Sequence, residues 1–592
     1  MALYGGKHEI ALPLAAGILL FLSLILRRLT PSSPQRLAIS GWLLLAFLVW
    51  TMAHSFFLTQ TPYTSLVGLM PIIIGGLIFL VIQRISLDSG GLKIFIYSLL
   101  IGAVAIILFG FYVYLSPQFP SLRMGAAFRQ HNALAGFLAA LLPLSLYSWL
   151  FLDKWRWVWS TIFVIFSASL ILTFSRGGFI AAGLALIIFL TLVWRQSGRR
   201  DAAKKLAGTL VLIAISGLLA YGLYSVKTAN FSSAGITPAE SPYAGEIPET
   251  GETGVNSRLQ YWQAAWQIFG ERPLVGSGLN SFEQEYRRTQ TDPRFFSVDP
   301  HNLILKLLAE LGLVGTFIFA LFLIALIWPK LKSIWRDRSG ENKSNQLLRA
   351  SFLAATVGLL LHYGVDLDLT FPAHYLIFFT LAGLVAAPNS TEPHFTETEP
   401  RRISGGQLIL GGAGIIFAVA TILYISDNYF ERAKLVYRDN KGDLGEFKEP
   451  VVKSEKYDPF NPWRALAVAE IYLENKQYGE ALVQTAQARK ALPQNRDVHL
   501  LSGKILAATG QKKLAEKELR LAITYAPAQD LKAYVYLVNL LEKSGQTKEA
   551  KQIAQAGLNY FPDGLFTSSL WTNYDKATIQ FHQSLLKNYL QK

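Results

Sequence analysis

His301 and a small set of arginines are the residues in this sequence best suited to chemistry. His301 follows Asp299-Pro300, precedes Asn302, and stands at the mouth of a long apolar run. A lone histidine is more often structural, but a neutral imidazole in such a place can take a proton from a hydroxyl near pH 7. Arg123, Arg129 and Arg176 stand in short connections otherwise empty of basic residues, and Arg176 lies between two apolar runs, where an unpaired charge is expensive. Arg258 opens an amphipathic segment. Guanidinium groups hold a pyrophosphate through forked, charge-assisted hydrogen bonds. A base and several arginines together suit one reaction: a sugar hydroxyl attacks a lipid-pyrophosphate-linked sugar and the pyrophosphate leaves. Asp366 and Asp368 are placed to pair with an arginine or to contact sugar; the competing reading is solvation of a helix end.

These residues need a scaffold that holds them at a bilayer. The chain has 592 residues, 52% hydrophobic and 16% charged, against about 25% charged in soluble domains. Its apolar residues fall in long runs that stop near residue 425. A span takes about 20 apolar residues. Twelve candidates follow: 9–26, 38–58, 65–83, 94–115, 133–152, 157–174, 177–194, 206–225, 304–328, 347–364, 371–387 and 407–425. The first ends in Arg27-Arg28 with no small-residue cleavage site, as a retained helix does. The expected architecture is therefore all-α: a transmembrane bundle of about 12 spans over residues 1–425, then a soluble helical domain over 426–592.

Charge supplies the orientation. The odd-numbered connections hold twenty Lys and Arg, among them Arg84, Lys154, Arg200 and Lys332. The short even-numbered connections hold three: Arg123, Arg129 and Arg176. That bias places the odd connections in the cytoplasm. The large loop 226–303 and the C-terminal domain are then extracytoplasmic. The same bias accounts for a net charge of +15 without nucleic acid, for which no basic, aromatic-interleaved face is present. With no cysteine, disulfides and thiolate metal sites are excluded.

Within the loop, Thr228 to Gly254 is rich in Ser, Pro, Gly, Glu and Thr. Residues 256–266 place Leu259, Trp262, Ala265 and Trp266 at helical spacing, as in a helix lying on a membrane surface. Pro273-Leu-Val-Gly-Ser-Gly278 forms a glycine-rich turn of the kind whose N–H groups bind anions.

The motifs Ser175-Arg176-Gly177-Gly178, Asn256-Ser257-Arg258 with Trp262, Pro273 to Gly278, and His301-Asn302 with Glu310-Leu311-Gly312 and Gly315 resemble the O-antigen ligase and O-antigen polymerase superfamily, which includes bacterial protein O-oligosaccharyltransferases. Phe128-Arg129-Gln130-His131-Asn132, and His362 to Asp368 with Pro372, are similar to its looser flanking patterns. The resemblance covers residues 60–387. It implies a metal-independent membrane glycosyltransferase of the GT-C type in the bacterial cytoplasmic membrane. Its donor would be an undecaprenyl-pyrophosphate-linked glycan in the outer leaflet. His301 would activate the acceptor, and Arg176 and Arg258 would hold the donor pyrophosphate, with Arg123 and Arg129 beside them. Asn302, Asp366, Asp368 and His131 would contact substrate. One departure is that both termini fall outside here, whereas the ligases usually keep both in the cytoplasm.

The C-terminal domain is repetitive. Ala481, Ala515 and Ala550 lie 34 and 35 residues apart, as do Pro493, Pro527 and Pro562. The period matches tetratricopeptide repeats, with Trp571 and a helix at 575–590 as a cap. Such arrays are binding scaffolds. The acceptor is left open among a growing polysaccharide, a lipid or core glycan, and a protein. Alternatives from other classes are a transporter or flippase of lipid-linked sugars, and a non-catalytic scaffold of a polysaccharide assembly complex.

Overall fold

A computed structural model describes residues 37–84, 89–116, 121–128, 130–152, 154–233, 255–336, 343–366, 368–387, 405–439, 444–563 and 573–591. Every regular element among them is helical. The first half contains α1 (Ile39–Phe57), α2 (Pro62–Arg84), α3 (Ser89–Leu115), α4 (His131–Phe151), α5 (Arg156–Leu172), α6 (Arg176–Gln196) and α7 (Arg199–Ser233). Then come α8 (Val255–Glu271), α9 (Phe282–Thr289), α10 (Leu303–Arg336), α11 (Lys343–Tyr363) and α12 (Pro372–Ala386).

Seven of these helices are long and apolar enough to cross a membrane: α1 to α4, α6, α7 and α10. The expected twelve spans are not reached among the described residues. The run at 9–26 lies outside them. The runs at 157–174 and 371–387 form the shorter apolar helices α5 and α12. In α11, Gln346, Arg349 and His362 shorten the apolar stretch. The run at 407–425 is the first part of one continuous helix, α13 (Gly405–Asp439), so the expected domain boundary at 425/426 falls inside a helix.

α4 is the centre of the bundle, packed against α5, α6 and α11 and buried almost all round from Ala133 to Ser148. Small residues permit this. A Cβ on Gly178 of α6 would lie 2.5 Å from the Ala135 methyl, and one on Gly358 of α11 would lie 3.2 Å from the Ala139 carbonyl oxygen. Close approach through small residues is how helices associate where no hydrophobic effect drives them together.

Alternate connections gather at opposite ends of the bundle. At one end the Gln60 N–H donates to the Ser277 carbonyl at 3.0 Å, the Met124 N–H donates to the Leu172 carbonyl at 2.9 Å, and Arg258 pairs with Asp366. At the other, Arg195 Nε donates to the Trp335 carbonyl at 2.9 Å and an Arg349 Nη1 donates to the Ala387 carbonyl at 2.7 Å. The connections that carry Arg123 and Arg176, and those that carry most of the other basic residues, thus lie at different ends.

The chain after α13 folds into α14 (Lys448–Tyr457), α15 (Pro462–Glu474), α16 (Tyr478–Ala491), α17 (Arg496–Ala508), α18 (Lys512–Tyr525), α19 (Lys532–Glu542), α20 (Thr547–Tyr560) and α21 (Asn573–Gln591). Short loops join α15 to α16, α17 to α18 and α19 to α20 into hairpins. α15 and α17 begin 34 residues apart, at 462 and 496, as do α16 and α18, at 478 and 512. Ala481, Ala515 and Ala550 are fully buried in equivalent second helices. α21 covers α20 with Ile579 and Leu586; Trp571 lies outside the described residues. The Tyr63 hydroxyl of α2 donates to Asp458 at 3.0 Å, and α9 of the large loop packs against α18. The loop and the C-terminal helices therefore share one side.

Candidate active site at the loop end of the bundle

α10 is not one regular helix. Gly312 breaks it with φ 65° and ψ −169°. A break leaves backbone groups without intrahelical partners, and buried ones must be satisfied elsewhere. The segment from Pro273 to Gly278 does this. The Ser277 and Gly278 N–H groups donate to the Ala309 and Glu310 carbonyls, both at 2.9 Å. The Leu313 and Val314 N–H groups donate to the Pro273 and Leu274 carbonyls at 2.8 and 3.2 Å. A Cβ on Gly276 would lie 2.5 Å from the Glu310 carbonyl carbon, and one on Gly312 would overlap the Leu274 carbonyl. This corrects the expected anion-binding turn. Glycine is needed here for backbone-on-backbone packing, and the N–H groups of Ser277 and Gly278 are already engaged.

The knot fixes the start of α10, where His301 stands. His301 has φ 55°, a left-handed conformation uncommon outside glycine. Its N–H donates to Asp299 Oδ1 at 2.8 Å. Asp299 Oδ2 pairs with Lys306 Nζ at 2.9 Å, and Lys306 pairs with Glu310 at 3.1 Å. All three charged groups are buried. Asn302 Oδ1 accepts from the Leu305 N–H at 3.0 Å, so the residue expected to contact substrate works locally as a helix cap.

α8 supplies the facing wall. Tyr261, Ala264, Ala265 and Ile268 are buried against Phe282 and Tyr286 of α9 and Ala309 of α10. The expected apolar face is split: Ala265 is inside, while Leu259 and Trp266 are exposed. The helix is apolar over a wider arc than the counted stripe, and the neighbouring arc carries the packing. Tyr261 stacks on the His301 ring, with centroids 5.6 Å apart and an interplanar angle of 19°. One turn earlier on the same helix, an Arg258 Nη2 donates to Asp366 Oδ2 at 2.8 Å.

Asp366 brings the site together. Its other oxygen is 3.5 Å from His301 Nδ1, too long for a full hydrogen bond. Its side chain is 2% exposed. Burial alone would raise its pKa. Its contact with His301, with His362 and Arg258 beside it, outweighs burial and holds the carboxyl down at about 2. Ser175 caps α6 by accepting from the Gly178 N–H at 3.2 Å, and a Cβ on Gly177 would lie 2.9 Å from the Val365 side chain. Arg176 thus stands beside Asp366 in the backbone, with its own side chain exposed. An Arg123 Nη1 donates to His131 Nε2 at 2.9 Å, which makes that nitrogen the acceptor of a neutral ring. Asp366 and Arg258 both act electrostatically on His131. Arg129 lies outside the described residues, as does the side chain of Asp368, whose backbone opens a 3₁₀ turn.

Arg123, His131, Arg176, Arg258, His301 and Asp366 therefore converge from five separate stretches of chain. Residues 161–320 match the O-antigen ligase family. No curated protein sequence matches the chain. The O-antigen ligase match contains Arg176, Arg258 and His301, and also the glycine knot; Arg123, His131 and Asp366 join from outside it. It suggests a glycan-transferring enzyme of the glycosyltransferase type, acting at a membrane on lipid-linked glycan. Sequence reasoning missed Tyr261, Asp299 and Lys306 as parts of the site. For Lys306 a signal was present: a lysine four residues before Glu310 inside an apolar run.

Proposed function

We propose that the protein transfers a glycan from an undecaprenyl-pyrophosphate donor to an acceptor hydroxyl on the extracytoplasmic face of the bacterial cytoplasmic membrane. The observation that carries this reading is the line Arg258–Asp366–His301. Asp366 faces His301 Nδ1, which favours the tautomer whose Nε2 can accept a proton. That nitrogen takes the proton of the acceptor hydroxyl. The hydroxyl oxygen forms the new bond to the anomeric carbon. The bond from that carbon to the phosphate oxygen breaks, and the electron pair leaves with the pyrophosphate. Arg176 and Arg258, with Arg123 nearby, neutralise the charge that develops there, a role expected from the sequence for Arg129 as well.

The charge bias of the connections supports the extracytoplasmic side. The helical hairpins of the C-terminal domain, with matching alanines 34 and 35 residues apart, are read as tetratricopeptide-like. On the side of the site they would recruit the acceptor or a protein partner. Polysaccharide, lipid and protein acceptors all supply the hydroxyl this chemistry needs.

Two measurements test the reading. Purified protein in proteoliposomes with a lipid-linked oligosaccharide should release undecaprenyl pyrophosphate in step with glycan transfer; donor left intact with every acceptor class would refute it. A thiol placed at the exposed Gly479 should label from the extracytoplasmic face of intact cells, with no native cysteine to interfere. Labelling from the cytoplasmic side alone would reverse the orientation.

A further inference from the structure

Two independent contacts pin one short segment of the C-terminal domain to the membrane-length helix α2 and to α13. Tyr63 is the second residue of α2, whose apolar span Pro62–Gln83 has 22 residues. At about 1.5 Å per residue that span is roughly 33 Å long, close to the hydrocarbon thickness of a bilayer. Its first turn therefore lies near the boundary of the hydrocarbon. The Tyr63 hydroxyl donates to Asp458 there. The second contact comes from α13, whose apolar run ends at Ile425. The next residue, Ser426, donates to the Ser454 carbonyl at 2.8 Å and accepts from Arg464 Nη1 at 2.9 Å. Arg464 is buried and also bonds the Ser454 hydroxyl and the Asp458 carbonyl. Residues 454–464 are thereby held at one level by the first turn of the membrane-length helix α2 and by α13 just past its apolar run.

That same segment turns large apolar side chains outward. Phe460 is 73% exposed and Trp463 46%, with Val452 at 62% two residues before Ser454. Lys456 stands among them. Phe57, at the neighbouring end of α1, is 83% exposed. Aromatic residues with a nearby lysine, at the level where spans leave the hydrocarbon, form the belts that sit among lipid headgroups.

We propose that the segment Tyr457–Trp463 is a lipid-contacting wedge that seats the C-terminal helical domain on the outer rim of the bilayer in which the chain is embedded. Phe460 and Trp463 enter the boundary between headgroups and acyl chains. The domain is thereby held beside the loop end of the bundle, and its hairpins, continuing from α15, extend away from that contact. This inference needs the membrane-spanning bundle but not the transfer reaction.

Single cysteines at Phe460→Cys and Trp463→Cys, in the full chain and carrying a nitroxide, test it. The host is a bilayer of phosphatidylethanolamine and phosphatidylglycerol, and Gly479→Cys is the aqueous control. Both native side chains are exposed, so the core is left intact. The ratio of oxygen to nickel-chelate accessibility at 460 and 463 should be several-fold that at 479. A ratio equal to the control would overturn the proposal. Low accessibility to both reagents would also overturn it, because that pattern marks a protein contact such as a second copy of the chain.

Discussion

The Arg258 guanidinium meets the Asp366 carboxylate at 2.8 Å, across 108 residues of sequence. Asp366 also faces His301, so one buried carboxylate ties the large-loop helix α8, the start of α10 and the turn after α11. In the proposed reaction that arrangement positions His301 as the base beside Arg258, and it decides what each substitution should do.

Asp366→Asn keeps the shape but loses the charge that orients His301 and Arg258. Transfer should fall about 100-fold or more, the scale of a mispositioned general base, with most of the loss in kcat. The carboxyl is depressed from 3.8 to about 2. A depressed acid contributes stability above its unfolded value and loses it as the pH falls through the folded one. Thermal unfolding in detergent should therefore drop between about pH 4 and 2, and Asp366→Asn should flatten that slope. Equal slopes would show that the carboxylate is not held this way.

Lys306→Met would leave Asp299 and Glu310 buried without their shared cation. Removing one partner of a buried ion pair costs about 3–5 kcal/mol. Glu310→Gln in the same background should recover part of that loss. If the single variant unfolds at the wild-type temperature, the network does not hold His301 in place.

Gly312→Ala should be among the most disruptive single changes, because its Cβ would meet the Leu274 carbonyl and its φ is 65°. A loss of at least about 3 kcal/mol is expected from strain and broken backbone pairing. Gly183→Ala, in open space on α6, should leave unfolding unchanged. Equal effects of the two would mean that the knot contributes little.

What was legible in the sequence follows the physics. His301 and Arg258, which the structure brings to the same carboxylate, stood out because charge and histidine are conspicuous against apolar runs, and the repeat pitch because burial recurs at 34 and 35 residues. The role of the Pro273–Gly278 turn could not be found: an anion nest and a backbone brace need the same glycines, and only the break at Gly312 distinguishes them. Among the described residues, apolarity alone did not reveal helix length: the runs read as spans at 157–174 and 371–387 form the shorter apolar helices α5 and α12. Tyr261 was hidden because aromatic residues around α8 left its packed arc undetermined.

Arg176 and Arg258 should separate binding from stability. Arg176 is exposed, so Arg176→Ala should weaken donor affinity at least tenfold with an unchanged unfolding temperature. Arg258→Ala should do both, since it also unpairs Asp366. Donor titration in nanodiscs, read beside thermal unfolding, distinguishes them; unchanged affinity in both variants would remove the arginines from the donor site.

The most direct measurement is glycan transfer by His301 variants in proteoliposomes supplied with purified lipid-linked oligosaccharide. His301→Asn tolerates the left-handed backbone, and His301→Ala removes the ring outright. Both should retain donor binding and lose transfer by at least about 100-fold. Wild-type turnover in both variants would contradict His301 as the base.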